Sequence, residues 1–346
     1  MIVAGFQNSH VHFTQPEFAG AASVPAGRLE AQLDAMLGRY GVTTAIEIAS
    51  ADVRNTVALR GRIERGELRG PRIITVGMAL YPPDGIPFYL ADLPAEVRAR
   101  LPQPADPESA RAVVRSNFEQ GAQGTKLFIA TPVKLSLIKH MTPQVAKAAV
   151  DETHARGGFV YAHPTDIDGV RAAVAAGVDI LAHTTIDPPK AVWDDALIRD
   201  MVASNVAVAP TLKLWPYELV KAKLPEKIRE LALGDAIASL RAFAAAGGQV
   251  LFGTDVGYMT DYDPTDEYVY MARAGLTPMQ ILASLTTTPA ARWKEEGRRG
   301  QVAPGVDADL VVLEADPASD VRNFGKVKCT FRAGRAIYEA SQNPPG

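Results

Sequence analysis

The 346-residue chain reads as an α/β protein, a (β/α)8 barrel of the TIM type followed by a small and apparently incomplete β-sandwich portion. Three observations carry this reading. Short apolar runs alternate with amphipathic helical patterns, the mark of βα units and a parallel sheet. The alternation closes at eight strands and eight helical segments when the last two helical pieces are counted as one, which is the tally of a barrel. Six residues able to ligate metal or move protons, namely His10, His12, Lys126, His163, His183 and Asp255, fall at or near the C-terminal ends of those strands, where barrels carry function.

The elements follow in order. The first strand spans about Gly5 to His12, and an amphipathic helix covers Ala26 to Tyr40. A strand from Thr43 to Ile48 precedes a helix from Val53 to Arg65, and the third strand is Arg72 to Val76. Tyr81 to Pro107 is a Pro-rich insertion, too irregular for an element and longer than a common connection; such loops in α/β barrels often cap the site. A helix from Glu108 to Gln120 leads to the fourth strand, Gly124 to Ile129. Thr142-Pro143 supplies an N-cap and first-turn pair for a helix that ends near Gly157-Gly158.

Phe159 to His163 and Ile180 to His183 are the fifth and sixth strands, with a helix from Ile167 to Gly177 between them. Asp194 to Ser204 is helical, Val206 to Pro210 is the seventh strand, and Lys221 to Ala246 is helical with a break at Gly234. Gly247-Gly248 caps that helix. Gln249 to Asp255 is the eighth strand, and helices over Asp266 to Ala274 and Pro278 to Leu285 complete the layer. The barrel therefore occupies 1–297. From 298 to 346 short strands take over, at Ala308 to Leu313, Val327 to Arg332 and Ala336 to Tyr338. Three strands cannot bury both faces of a sheet unaided, so they must pack on the barrel or pair with further strands.

Composition narrows the function classes. With 47% hydrophobic and 22% charged residues the chain has the make-up of an ordinary soluble globular protein. A net charge of -3 without a Lys/Arg cluster gives no footprint for nucleic acid. No apolar run approaches the roughly 20 residues of a membrane span. Cys329 is the only cysteine, which excludes an internal disulfide and a thiolate metal cluster. No signal peptide is visible, which favours the cytoplasm unless an upstream leader has been removed.

His10 and His12 are the centre of the functional reading. Alternate side chains of an extended strand point the same way, so the two imidazoles project together and can share a divalent ion. A pair of histidines on a half-buried strand is weak evidence alone; the four further strand-end residues give it weight.

At this point the chain resembles the amidohydrolase superfamily of metal-dependent hydrolases. The segments that carry the likeness are Gly5-Phe6-Gln7-Asn8-Ser9-His10-Val11-His12, Gly124-Thr125-Lys126-Leu127-Phe128, Tyr161-Ala162-His163, Leu181-Ala182-His183, Phe252-Gly253-Thr254-Asp255 and the run Gly300 to Leu310. Within the superfamily the chain is most similar to the prolidase-like and imidazolonepropionase-like branch, and a lysine on the fourth strand favours its two-metal, prolidase-like side. The resemblance implies two divalent ions, usually zinc. His10, His12 and Asp255 would hold the more buried ion, His163 and His183 the second, and Lys126, as its CO2-derived carbamate, would bridge both. It also implies a bridging hydroxide that attacks a C–N bond in an amide, dipeptide or cyclic amide, with Asp255 as general acid and base.

The chemistry is consistent with that set. An ammonium cannot ligate a metal, whereas a carbamate is an anion with two oxygens, and burial depresses a lysine toward the neutral amine that reacts with CO2. Two ions about 3.5–4 Å apart acidify a shared water and polarise a carbonyl. Two other readings stay open. A single-metal deaminase or imidazolone-type ring hydrolase would leave Lys126 as an ion-pair partner of Asp255, and a catalytically silent scaffold would bind partners through its barrel.

His140, in the loop after the fourth strand, and Tyr258, just past Asp255, are candidates to meet a small-molecule substrate, as is Asp261. Trp215 and Tyr217 suit either an apolar pocket or lid packing, and His154 belongs on the outer helical layer. No arginine clamp is evident, since Arg72 and Arg171 open a strand and a helix. In the superfamily the small sandwich usually draws strands from before the barrel as well as after it. Here few residues precede the first strand, so either the chain is truncated or its C-terminal strands serve alone, with edges exposed or covered by homo-oligomeric association.

Overall fold

A computed structural model describes residues 1–134, 136–186 and 192–340. The first half of the chain runs β1 (Ile2–Ala4), β2 (Phe6–Val11), α1 (Ala26–Met36), β3 (Val42–Glu47), α2 (Val53–Glu64), β4 (Arg72–Thr75), α3 (Ala95–Arg98), α4 (Pro107–Glu119), β5 (Gly124–Phe128), β6 (Ala130–Lys134), β7 (Leu137–His140), α5 (Pro143–Ala155) and β8 (Phe159–His163). It continues with α6 (Ile167–Ala176), β9 (Ile180–Ala182), α7 (Asp195–Ala203), β10 (Ala207–Ala209), α8 (Leu214–Lys221) and α9 (Glu226–Ala245). The last part holds α10 (Thr265–Arg273), α11 (Pro278–Leu285), α12 (Thr287–Arg292), β11 (Leu310–Leu313), β12 (Val327–Arg332) and β13 (Arg335–Glu339). No described helix is long and apolar enough to cross a membrane.

Two compact units divide the chain. The first comprises Met1–Ile46, Ala58–Ile74 and Leu251–Gly346, described here up to residue 340. It contains a sheet of order β2–β3–β4 and an antiparallel sheet of order β1–β11–β12–β13. β1 enters the second of these with Val3 opposite Val311, so the small sheet takes a strand from the start of the chain as well as its three C-terminal ones. Three residues are too short for a recognisable strand pattern, so the sequence alone shows only the three C-terminal strands of this sheet. The chain switches sheets at Gly5, where a Cβ would fall 2.2 Å from the Thr43 hydroxyl oxygen; only glycine fits there.

Every residue of β2 is buried. Its Phe6 begins a run of rings, edge-on to Phe324 at 6.1 Å, then Tyr268 at 5.3 Å and Phe252 stacked on Tyr268 at 5.0 Å. A second core gathers Val11, Phe13, Phe18, Leu29, Leu33 and Met36 around Val42 and Val256. The Arg72 guanidinium forks onto Glu295 at 2.6 and 2.8 Å, in a network that Arg299 extends to Asp307 and Asp309.

The second unit comprises Glu47–Val57 and Thr75–Val250. Its centre is a sheet of order β10–β9–β8–β5, parallel throughout, with Lys126 opposite Tyr161 and Phe128 opposite His163. Asp106, Asp166 and Asp194 cap α4, α6 and α7 through backbone N–H groups. Thr142 precedes Pro143 as expected, yet its hydroxyl makes no capping bond.

Several expected elements change form. The insertion is not wholly irregular, for it holds a 3-10 turn at Phe88–Leu90 and the four-residue α3. Residues after the fourth strand form the antiparallel hairpin β6–β7 rather than a plain loop. α9 runs unbroken through Gly234, since one glycine costs only about 1 kcal/mol in a helix interior. Gln249 to Asp255 forms no ladder. It makes isolated parallel bridges instead, Val250 to Val208 in this unit and, just beyond it, Val256 to Val11 in the first.

Candidate metal centre

The first unit brings His10, His12 and Asp255 together. His10 ends the buried face of β2, and the two imidazole centroids lie 5.3 Å apart, as alternation along an extended segment requires. The segment that carries Asp255 is laid alongside β2 by backbone bonds: Ser9 N to Phe252 O at 2.7 Å, Asp255 N to His10 O at 2.9 Å and His12 N to Val256 O at 2.8 Å. Asn8 ties the two stretches from the side. Its amide donates to Thr254 Oγ1 at 2.8 Å, and its Oδ1 accepts from His10 N.

Asp255 Oδ1 then stands 3.2 Å from His10 Nε2 and 2.8 Å from His12 Nε2. Burial opposes ionisation of this carboxyl, but the charge of the two imidazoles outweighs it and holds the group well below the usual carboxylate range. Among the described residues, Oδ1 nonetheless has no hydrogen-bond partner of acceptable geometry. Two ring nitrogens thus converge on one carboxylate oxygen, an arrangement that suits a shared cation. Asp255 itself sits at φ +62°, a left-handed conformation costly for a non-glycine residue and concentrated at functional positions.

The second unit holds Lys126, His163 and His183. The β5–β8 register puts Phe128 beside His163, and the two rings stack at 4.7 Å. Lys126 Nζ lies 5.4 Å from the centre of the Phe128 ring, and Tyr81 covers the ring's other contact at 4.5 Å. His163 meets His183 edge-on at 4.7 Å, and His183 meets Trp215 at 6.1 Å. Lys126 is 2% exposed and is the middle residue of β5 rather than its last. His183 follows β9 at φ +81°.

The other candidates fall outside these sets. His140, on β7, faces Asp166, with Nε2 3.1 Å from both carboxylate oxygens. Asp166 also caps α6, so the pair ties the hairpin to that helix. Tyr258 is half-buried in the turn that bridges Val256 and Met259. Asp261 accepts from the Asp263 backbone. His154 pairs with Asp179 at 2.8 Å on the surface, and Arg171 pairs with Asp194 at 2.6 Å.

Two residues escaped the sequence reading. Glu47, the last residue of β3 and 1% exposed, accepts from Thr75 at 2.6 Å and Thr56 at 2.9 Å. Thr211, just past the end of β10, contacts His183. Both sit at strand ends, the same signal that singled out the histidines.

The class follows from these features: an α/β protein with its chemistry-bearing side chains at the C-terminal ends of parallel or strand-like segments. A model of the Amidohydrolase family matches residues 1–337, and the chain belongs to that family. In sequence it is 25% identical over 230 residues to the ochratoxinase of Aspergillus niger, covering 64% of this chain and 47% of that one; it thus spans about half the length of this curated relative. It is 28% identical over 330 residues to an uncharacterised protein of Mycobacterium bovis, covering 87% of this chain and 81% of the other. In structure it resembles a Xaa-Pro dipeptidase with bound methionine in the active site, with a TM-score of 0.82, 23% identity, and coverage of 98% and 87%. The fold is accordingly the TIM barrel with an additional sheet, as the alternation of elements predicts.

Proposed function

We propose that the protein is a metal-dependent hydrolase of C–N bonds in small amides, dipeptides or cyclic amides, with a two-ion centre. The observation that carries the proposal is the convergence of His10 Nε2 and His12 Nε2 on Asp255 Oδ1, at 3.2 and 2.8 Å. His10, His12 and Asp255 would hold one ion, His163 and His183 the other, and Lys126, as its carbamate, would join the two. Membership of the family and the likeness to a dipeptidase support this reading.

Bound divalent ions, zinc being best suited to His and carboxylate donors, would acidify water and polarise the scissile carbonyl. The chain's residues do the rest. Asp255 would take a proton from the attacking water and return it to the departing nitrogen. His10 and His12, fixed by backbone bonds to the Asp255 segment, keep that carboxylate in place. The Tyr81–Phe128 stack shields His163 on one side, and Trp215 shields His183 on another.

The test is elemental analysis of protein purified without chelator, together with Asp255→Asn. The proposal expects close to two divalent ions per chain. Asp255→Asn should unfold like the wild type, yet lose about 10²–10⁴ in turnover of a dipeptide or amide. One ion per chain would favour the single-metal hydrolase, and none after reconstitution the silent scaffold. Turnover that survives in Asp255→Asn would sink the assigned role.

A further inference from the structure

We propose that Thr211 is a positioning residue that fixes the His183 imidazole in its Nδ1–H tautomer, so that Nε2 carries the lone pair a metal would take. The inference rests on the metal-binding reading above for its purpose, but its structural content stands by itself.

It follows from counting one proton. The Thr211 hydroxyl lies 2.8 Å from the Pro210 carbonyl oxygen and 2.6 Å from His183 Nδ1. We assign the single hydroxyl hydrogen to Pro210 O, which can only accept and which Thr211 Oγ1 approaches more closely than its other donor, Thr184 N. Toward the ring Oγ1 is then an acceptor, and Nδ1 must be the donor. A neutral imidazole protonated at Nδ1 has its in-plane lone pair at Nε2. The reverse arrangement, with Thr211 donating to Nδ1, would leave Pro210 O with only the longer 3.3 Å bond from Thr184 N. It would also move the ring proton to Nε2.

The surroundings leave little freedom. Thr211 is 0% and His183 3% exposed, so solvent does not stand in for the hydroxyl. His183 N donates to Ala209 O at 2.9 Å, which locks the two strand ends in step. Thr211 adopts φ +46° and His183 φ +81°. Left-handed backbone is unfavourable for a β-branched threonine, and the strain persists where the surroundings over-determine it. Trp215, with its indole Nε1 bonded to Thr184 Oγ1 at 2.8 Å, holds the ring from another direction.

The experiment uses the full chain with ¹⁵N-labelled histidine. Ring ¹⁵N shifts of the chelator-treated protein at pH 8, with the His183 signal assigned through His183→Gln, report the tautomer without any metal. Wild type should show Nδ1–H. Thr211→Val should lose that preference, and Thr211→Ser should restore it. In zinc competition titrations Thr211→Val should weaken one of the ions about 10–100-fold, with recovery in Thr211→Ser. Nε2–H in the wild type would overturn the proposal even if no variant folded, and so would Thr211→Val with unchanged tautomer and zinc affinity. Nδ1–H in a wild type that binds no zinc would instead defeat the metal reading and leave the role of Thr211 over the ring intact.

Discussion

His10, His12 and Asp255 are held by different means from Lys126, His163 and His183. In the first set the backbone does the positioning: β2 and the Phe252–Val256 segment exchange main-chain bonds, and Asp255 Oδ1 comes within 3.2 Å of both ring nitrogens. In the second set the side chains also pack ring against ring, from Tyr81 through Phe128 and His163 to His183 and Trp215, on strands aligned by their own register. The contrast teaches where each set is vulnerable. A set made by backbone register fails when the backbone is displaced. One made by stacking fails gradually, as ring contacts are removed.

The largest effect should come from the backbone-held set. Gly257 follows Asp255 by two residues at φ +102°, and a Cβ there would lie 1.8 Å from the His12 carbonyl oxygen. The Gly257 oxygen also accepts from Thr14 Oγ1 and Gln15 Nε2, both at 2.7 Å. Gly257→Ala combines a disfavoured φ with a clash against backbone, which cannot rotate away. It should cost on the order of 3–5 kcal/mol in denaturant unfolding and move Asp255 away from His12. Wild-type stability in that variant would mean the backbone at His12 has slack that the close approach denies.

The ring-held set should respond more mildly. Phe128→Leu keeps most of the volume but removes the stacks on Tyr81 and His163, for an expected loss of about 1–2 kcal/mol. The same change should loosen His163, seen as weaker binding of one ion of the proposed pair while the other is unaffected. Equal weakening of both ions would break the distinction between the sets.

Much of this was legible in the residues, and the failures have physical causes. The spacing His10-Val11-His12 placed two imidazoles on one side of an extended segment, and the structure keeps them adjacent. The structure places His163 and His183 at strand ends as the sequence indicates, because β8 and β9 are short, apolar and followed by turns. Asp255 was expected at the end of a strand; its segment is bonded to β2 like one but forms no ladder, since sequence shows a preference for extension and not the pairing partner. The β6–β7 hairpin was missed because Pro132 and the half-exposed Ile138 break the apolar alternation. β1 was missed because three residues have no period. Thr211 and Glu47 were overlooked for a different reason: hydroxyls and single carboxylates are common at strand ends, and only their partners reveal a purpose.

The smallest expected effect tests how far the ring-held set tolerates loss. Trp215→Phe keeps an aromatic ring against His183 but deletes the indole N–H that bonds Thr184 Oγ1 at 2.8 Å. Thr184 is buried, so its hydroxyl oxygen loses a donor that solvent does not replace. The cost should be about 1–2 kcal/mol of stability. Because Thr211 rather than Trp215 bonds Nδ1, the His183 tautomer should stay Nδ1–H, and zinc affinity should change by no more than about threefold, or less than 1 kcal/mol. A loss as large as that expected for Thr211→Val would show that edge contact with the indole, and not the hydroxyl, sets the ring; the two variants measured side by side decide between them.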